Sequence, residues 1–172
     1  MKYWVLVGAA SLLSFNGWGK EASGKARAEL KSAQGQDVGR ATFKATKKGV
    51  AVKLNVRNLP PGVHGIHIHE AGKCDAPDFK TAGGHFNPAG KHHGSLNPQG
   101  EHAGDLGNLT VAANGTAKVK LTAKGVTLGE GENSLFHPGG TSVVIHANPD
   151  DLKTDPAGNA GPRIVCGVIT KR

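Results

Sequence analysis

Residues 50–57 read Val-Ala-Val-Lys-Leu-Asn-Val-Arg, with an apolar side chain at every second position up to Val56. Successive side chains of a β-strand point to opposite faces, so this period of two predicts a strand with one buried and one solvated face. Ala26, Ala28 and Leu30 alternate with polar residues in the same way. Helical periodicity is absent from the sequence, which is therefore dominated by strand patterns.

Further segments with strand character follow along the chain. They are 109–113, 117–121, 142–146 and 163–170. The first two flank Asn114-Gly115, a dipeptide typical of the tight turn in a β-hairpin. The short strands are separated by many of the 26 glycines and 9 prolines. This pattern predicts an all-β fold, an antiparallel sandwich or barrel.

The N-terminal residues have a different pattern from the rest. Lys2 precedes an apolar run over residues 5–15, which is shorter than the roughly 20 residues of a membrane-spanning helix. A charged start and a short apolar run are typical of a secretory signal peptide, with an uncleaved membrane anchor as the alternative. We therefore predict a signal peptide at 1–19 and one exported domain at 20–172. The expected location is the periplasm, with secretion or the cell surface as alternatives.

Cys74 and Cys166 are the only two cysteines. An isolated pair in an exported protein indicates one disulfide bond, and metal-binding thiolates are the alternative. The formal net charge of +8 suggests an anionic partner. Nucleic acid is not expected, because aromatic residues are 5% of the chain, no recognition motif is present and the lysines are scattered along strands. A small anion remains the candidate partner.

The nine histidines are concentrated in one region. Five of the histidines between positions 65 and 105 form, with one aspartate, an ordered string of metal-ligand candidates, and another histidine follows in a later apolar segment. This set is His67, His69, His85, His93, His102, Asp105 and His146. Imidazole and carboxylate groups suit zinc and copper, and one site needs three or four of them. The set therefore predicts two neighbouring metal sites.

The spacing of these residues predicts which of them lie on strands and which lie in loops. His67 and His69 are two residues apart on a predicted strand, so both rings project from one face; a solvent-facing pair is the alternative. Two long segments, 70–108 and 147–161, lack strand patterns, and we expect bound metal to order them. Three histidines with Asp105 would form a closed zinc site, although spacing alone does not choose between His92 and His93.

Six segments together resemble one protein family. They are Gly-Ile-His-Ile-His-Glu at 65–70, Gly-His-Phe-Asn-Pro at 84–88, Lys-His-His-Gly at 91–94, His-Ala-Gly-Asp-Leu-Gly-Asn at 102–108, Val-Val-Ile-His at 143–146 and Gly-Asn-Ala-Gly-Pro-Arg-Ile-Val-Cys-Gly-Val-Ile at 158–169. In this order the chain resembles the copper/zinc superoxide dismutases of the exported bacterial type. The resemblance implies a Greek-key antiparallel β-barrel or sandwich of about eight strands with two long metal-ordered loops.

The resemblance also assigns roles to individual residues. It implies that copper is bound by His67, His69, His85 and His146. It implies that zinc is bound by His85, His93, His102 and Asp105, so that His85 bridges the two ions. Further implied roles are Asp150 as a link between a copper and a zinc ligand, Arg163 as the group that orients the anion, and Cys74–Cys166 as the disulfide. His64, His92 and His137 match no family position and are expected at the surface.

The implied activity is dismutation of superoxide to dioxygen and hydrogen peroxide, with Arg163 and His85 as catalytic residues. Copper supplies the electron transfer, and zinc supports the bridging histidine. The alternative is a non-enzymatic copper or zinc carrier of the cell envelope, and a metal-free adhesive sandwich is a weaker one. Superoxide is the expected small-anion partner. We expect no stable membrane insertion after signal cleavage, and the relatives include both homodimers and monomers.

Overall fold

Nine strands and one short 3₁₀ helix form the regular structure of residues 24–172, the part of the chain that this computed structural model describes. The strands are β1 Lys25–Ser32, β2 Asp37–Thr46, β3 Gly49–Val56, β4 Gly62–His69, β5 Asp105–Val111, β6 Ala117–Ala123, β7 Ser142–His146, β8 Arg163–Val168 and β9 Thr170–Lys171, and the helix is Lys80–Ala82. The predicted signal peptide at 1–19 lies outside the described residues. Within them, no helix is long and apolar enough to cross a membrane.

All strand pairs of the sheet are antiparallel, in the spatial order β5-β4-β7-β8-β1-β2-β3-β6, with the short β9 beside β1. The two end strands, β5 and β6, contact each other, so the sheet closes almost completely into a barrel. The neighbours β3 and β6, and β4 and β7, are not consecutive in the chain, which is Greek-key connectivity. The predicted fold class is confirmed.

Side-chain alternation builds the barrel interior as the sequence predicts. Val50, Val52, Leu54 and Val56 of β3 are at most 2% exposed, and the residues between them are more accessible. The inward residues of β1 and β2 pack on this row and belong to the same core. Burying a row of valine and leucine side chains contributes roughly 1.5–3 kcal/mol per residue.

The turn at Asn114-Gly115 is confirmed, but the predicted hairpin pairing is wrong. Two bonds close the turn, from Gly115 N to Ala112 O and from Ala112 N to Thr116 O, both 2.9 Å long. In the described structure, however, β5 hydrogen-bonds to β4 and β6 hydrogen-bonds to β3. The turn therefore spans the seam at which the barrel remains partly open, because a local turn motif does not determine which long-range neighbours each strand acquires.

Long loops connect the strands around β4 and β7. The first runs over 70–104 and the last over 147–162, close to the predicted segments, although Asp105 begins β5 and is therefore a strand residue. A third loop, 124–141, was not predicted, and its Leu135 is fully buried in the barrel core. The first and last loops carry most of the residues of the metal centre that do not lie on strands.

The predicted disulfide is confirmed. Cys74 in the first long loop is bonded to Cys166 on β8, with Cα atoms 5.6 Å apart. Beside it lies a second, smaller core of Phe79, Ala82, Val144 and Cys166. The bond and this cluster together attach the start of the loop to the barrel.

We predict that replacing both cysteines (C74S/C166S) lowers the free energy of unfolding of the metal-free protein by about 4–5 kcal/mol, because the bond closes a 92-residue loop in the unfolded chain. Urea denaturation measures this loss. A reducing agent should destabilise the wild type to the same level and leave the double variant unchanged. Equal stability of both proteins under oxidising conditions would contradict the prediction.

Candidate metal centre

The strand β4 sits between β5 and β7 and carries the first two histidines of the site. His67 and His69 project from one face, as predicted, while Ile66 and Ile68 project from the other into the barrel core. All four side chains are 0% exposed, because the long loops cover the histidine face. The sheet therefore fixes both imidazoles rigidly in a buried place.

The first group of ligand atoms comes from three parts of the chain. It consists of His67, His69, His85 and His146, whose ligand atoms all lie within 4.8 Å of one another. His69 Nδ1 donates to Gly83 O and His146 Nδ1 donates to Gly161 O, both at 3.0 Å. These bonds leave each Nε2 as the lone-pair nitrogen, and the two Nε2 atoms lie 3.4 Å apart.

The second group surrounds one carboxylate oxygen. Asp105 Oδ1 lies 2.8 Å from His85 Nδ1, 3.2 Å from His93 Nδ1 and 3.3 Å from His102 Nδ1. In a tetrahedral zinc site with bonds of 2.0–2.1 Å, ligand atoms are about 3.3 Å apart. Three nitrogens and one oxygen at these separations therefore have the composition and the spacing that zinc requires. His93 belongs to this group, whereas the exposed His92 does not.

His85 belongs to both groups, since its Nδ1 faces Asp105 and its Nε2 faces the first group. Three nitrogens of these two groups are buried without a hydrogen-bond partner in the described structure: His67 Nδ1, His85 Nε2 and His93 Nδ1. A buried polar atom without a partner is costly, and these atoms point into the two groups. The donor set, its burial and its spare nitrogens therefore fit two metal ions that share one imidazole.

Asp150 connects the two groups. His67 Nε2 donates to Asp150 Oδ2 at 2.7 Å, and His93 Nε2 donates to Asp150 Oδ1 at 2.9 Å. All three side chains are 0% exposed. Asn108 holds the backbone of Asp150 through two bonds of 2.8 Å. Each bond to the carboxylate leaves Nδ1 of the histidine as the nitrogen that faces one of the two groups.

Burial and hydrogen bonds divide the histidines into neutral and charged ones. Burial lowers the pKa of His69 to about 2, and lowers that of His85 and of His146 to about 4. Burial also acts on His93, but the nearby carboxylate of Asp105 and the hydrogen bond to Asp150 outweigh that effect and raise its pKa to about 10. Bonds from the surrounding histidines hold the pKa of both carboxyls well below its usual range, against the effect of burial.

Arg163 lies at the edge of the first group, opposite His146 in the pairing of β7 and β8. Its guanidinium donates to Phe79 O at 2.7 Å and to Gly83 O at 2.6 Å. Gly83 O also accepts the bond from His69, so one carbonyl positions both side chains. After burial, the charge of Arg163 is a further cause that lowers the pKa of His69 and of His146.

Asp155 is a supporting residue that the sequence did not reveal. Its carboxylate accepts bonds of 2.6 Å from the backbone N–H of His93 and from the His92 ring. It thereby joins the last long loop to the first at His93, whose Nδ1 belongs to the second group. Asp155 looks like an ordinary loop charge in the sequence, because its partner is 62 positions away.

The prediction that His64 lies at the surface is wrong. His64 is 3% exposed, and its two ring nitrogens lie 2.9 Å from His146 O and from Pro60 O. The alternation of a strand places His64 on the same side of β4 as the buried Ile66 and Ile68, so the sequence pattern could have predicted its burial. His92 is exposed as expected, whereas His137 is half-buried and stacks on Phe86.

Comparison with known proteins agrees with this geometry. A sequence model of the copper/zinc superoxide dismutase family matches residues 38–169. The chain belongs to the copper/zinc superoxide dismutase family. Superoxide dismutase (Cu-Zn) 2 of Aquifex aeolicus is 54% identical over 147 residues, which cover 84% of this chain and 86% of that protein. The Cu-Zn superoxide dismutase of Caulobacter vibrioides is 44% identical, with 84% of each chain covered.

Solved structures of the family have the same fold. A superoxide dismutase-like protein from Bacillus subtilis superposes with a TM-score of 0.80 at 40% identity, over 83% of this chain and 96% of that chain. The Cu/Zn superoxide dismutase of Brucella abortus gives a TM-score of 0.68 at 29% identity, over 85% of this chain and 99% of that chain. The family uses copper and zinc, which fits the donor set described above.

We predict that His64→Leu lowers the free energy of unfolding of the metal-free protein by about 1–3 kcal/mol, because leucine cannot hydrogen-bond to the carbonyls of His146 and Pro60 that lie beside the buried ring. Urea denaturation measures this change. His92→Leu is the matched control at an exposed position and should cost less than about 1 kcal/mol. Similar losses in both variants would contradict a buried structural role for His64.

We predict that the metal-free protein loses stability as the pH falls from about 6.5 to about 4, by on the order of 1.4 kcal/mol per pH unit for each neutral buried histidine. His69, His85 and His146 stay neutral in the folded protein in this range, whereas the unfolded chain binds their protons near the ordinary pKa of 6.5.

His93 acts in the opposite direction, because its raised pKa of about 10 gives stability that is lost as the pH rises from 6.5 towards 10. Stability of the metal-free protein should therefore be highest near neutral pH. Urea denaturation at a series of pH values measures the profile. A flat profile between pH 4 and 6.5 would show that these histidines are not buried in the neutral form.

Proposed function

We propose that this protein catalyses the dismutation of superoxide, in which two superoxide anions and two protons yield one dioxygen and one hydrogen peroxide. The observation that carries the proposal is the shared imidazole of His85, placed between two ligand groups with Arg163 at the edge of one of them. Family membership and relatives named superoxide dismutase at 44–54% identity support it.

Under this proposal His67, His69, His85 and His146 would hold copper, and His85, His93, His102 and Asp105 would hold zinc. Copper, when bound, supplies the one-electron couple that takes an electron from one superoxide and returns it to the next, while zinc supplies a fixed charge without redox chemistry. The protein side chains supply position. Asp150 orients His67 and His93, and the carbonyls of Gly83 and Gly161 orient His69 and His146.

His85 is placed to move a proton within the site. Its Nδ1 is held among the ligand atoms of the second group, and its Nε2 has no hydrogen-bond partner in the described structure. We assign to this Nε2 the uptake of one proton and its delivery to the nascent peroxide, while the second proton of hydrogen peroxide comes from solvent.

Arg163 is placed to bind the anion. Two of its N–H groups are used by Phe79 O and Gly83 O, and its fork carries five donors in total. The two carbonyls hold the guanidinium still, and the remaining N–H groups are available to a small anion beside His146.

We further propose that residues 1–19 direct export and are removed, and that the domain at 20–172 acts in the periplasm. The disulfide supports an oxidising compartment, and the bacterial relatives are consistent with it. A non-enzymatic metal carrier is not favoured, because carriage requires neither a shared imidazole nor an arginine beside the ligands.

We predict that Arg163→Gln lowers kcat/KM for superoxide by about 10- to 100-fold, because a charge-assisted bond to the anion is lost. Copper and zinc contents should remain those of the wild type. Dismutation rates and metal analysis of the same samples measure both effects. Lys153→Gln, which removes one positive charge from the last long loop, is the control and should change the rate much less.

Unchanged dismutation by Arg163→Gln with full metal content would refute the role of Arg163. A wild-type protein that binds both metals and lacks activity would favour the carrier.

A further inference from the structure

Six of the lysines that look scattered in the sequence lie, with three arginines, on one face of the barrel, so the strand register corrects the expectation that they do not cluster. The outward positions of β1, β2, β3 and β6, with residue 57 just after β3, carry nine basic side chains. They are Lys25, Arg27, Lys31, Arg40, Lys44, Lys53, Arg57, Lys118 and Lys120. All nine are exposed, and we call this surface the basic face.

Strand pairing aligns these residues in rows across the sheet. Lys25 lies opposite Lys44, and Lys53 lies opposite Lys120. Neighbouring strands are about 4.8 Å apart, and residues two apart on one strand are about 7 Å apart. The positive charges therefore form a grid in two dimensions over four strands, rather than a single line.

Few carboxylates offset this charge. On the basic face, Glu29 lies 3.9 Å from Arg27, and Asp37 lies 3.2 Å from Arg57. Within residues 24–172, the other seven basic side chains have no carboxylate within ion-pair distance. Like charges directly opposite each other, such as Lys53 and Lys120, destabilise a sheet. This arrangement is unfavourable for the fold alone, and an anionic partner would relieve it.

We propose that the basic face binds an anionic lipid membrane peripherally, without insertion. A membrane presents negative charges in a plane, and the grid matches that geometry. A linear polyanion would instead need a groove or a stripe, and the outward positions of these four strands carry no aromatic side chain on which bases could stack. The metal centre lies on β4 and β7 and their loops, in the other half of the strand order, so docking leaves it open.

The test compares two triple variants with equal loss of charge. K53Q/K118Q/K120Q removes three charges from the basic face, and K73Q/K80Q/K91Q removes three exposed charges from the first long loop. Each basic residue near an anionic membrane contributes roughly a five-fold gain in partition. Sedimentation of the purified exported protein with phosphatidylcholine vesicles, with and without about 30% phosphatidylglycerol, measures binding.

We expect the wild type and the loop variant to bind only the vesicles with phosphatidylglycerol, and the basic-face variant to bind them on the order of 100-fold more weakly. Raising the salt from about 0.05 M to about 0.5 M should abolish binding. The basic-face variant should keep its dismutation rate and have an equal or higher melting temperature, since Lys53 and Lys120 no longer repel each other.

Three results would overturn the proposal. One is equal weakening by both triple variants, which would indicate a general charge effect. Another is equal binding to both kinds of vesicle, which would indicate apolar attachment. The third is retention on heparin or duplex DNA without binding to anionic vesicles, which would assign the face to a linear polyanion. Each of these results concerns membrane binding alone and can be distinguished from a failure of the proposed dismutase activity, which is measured separately.

Discussion

Asp150 joins two buried histidines that belong to different parts of the chain, His67 on β4 and His93 in the first long loop. A fully buried carboxylate is stable only when hydrogen-bond donors compensate its charge. For Asp150 the donors are these two imidazoles and the backbone N–H of Leu152. This requirement fixes the last long loop against the first. Gly158 packs so closely over the bond between Asp150 and His93 that a Cβ there would lie 1.9 Å from the carboxylate oxygen.

The packing of the two loops on the barrel also positions the other residues of the site. The barrel provides a rigid base, since β4 and β7 carry three of the histidines, and the loops bring the others to them. Backbone carbonyls and carboxylates then select which ring nitrogen faces each group. The guanidinium of Arg163 donates to the carbonyl of Gly83, which also accepts a bond from His69, so both side chains share one support. The disulfide attaches this loop to β8.

Much of the site was predictable because its elements are local in the sequence. The pair His67 and His69 depends only on the alternation of a strand, and the density of imidazoles between positions 65 and 105 indicates two metal sites. Two of the predictions that failed did so for different reasons. The hairpin at Asn114-Gly115 failed because strand partners are long-range, and His64 was placed at the surface although its side of β4 faces the core.

By itself, the sequence determined an all-β fold, the residues able to bind metal and the resemblance to one enzyme family, because period, composition and motif are local properties. The choice of His93 over His92, which spacing left open and the resemblance implied, agrees with the geometry of the second group. Only the tertiary structure decided that Asp155 holds the backbone of His93 and that seemingly scattered lysines form one basic face. Each of these depends on strand register and loop packing, which bring together residues that are tens of positions apart.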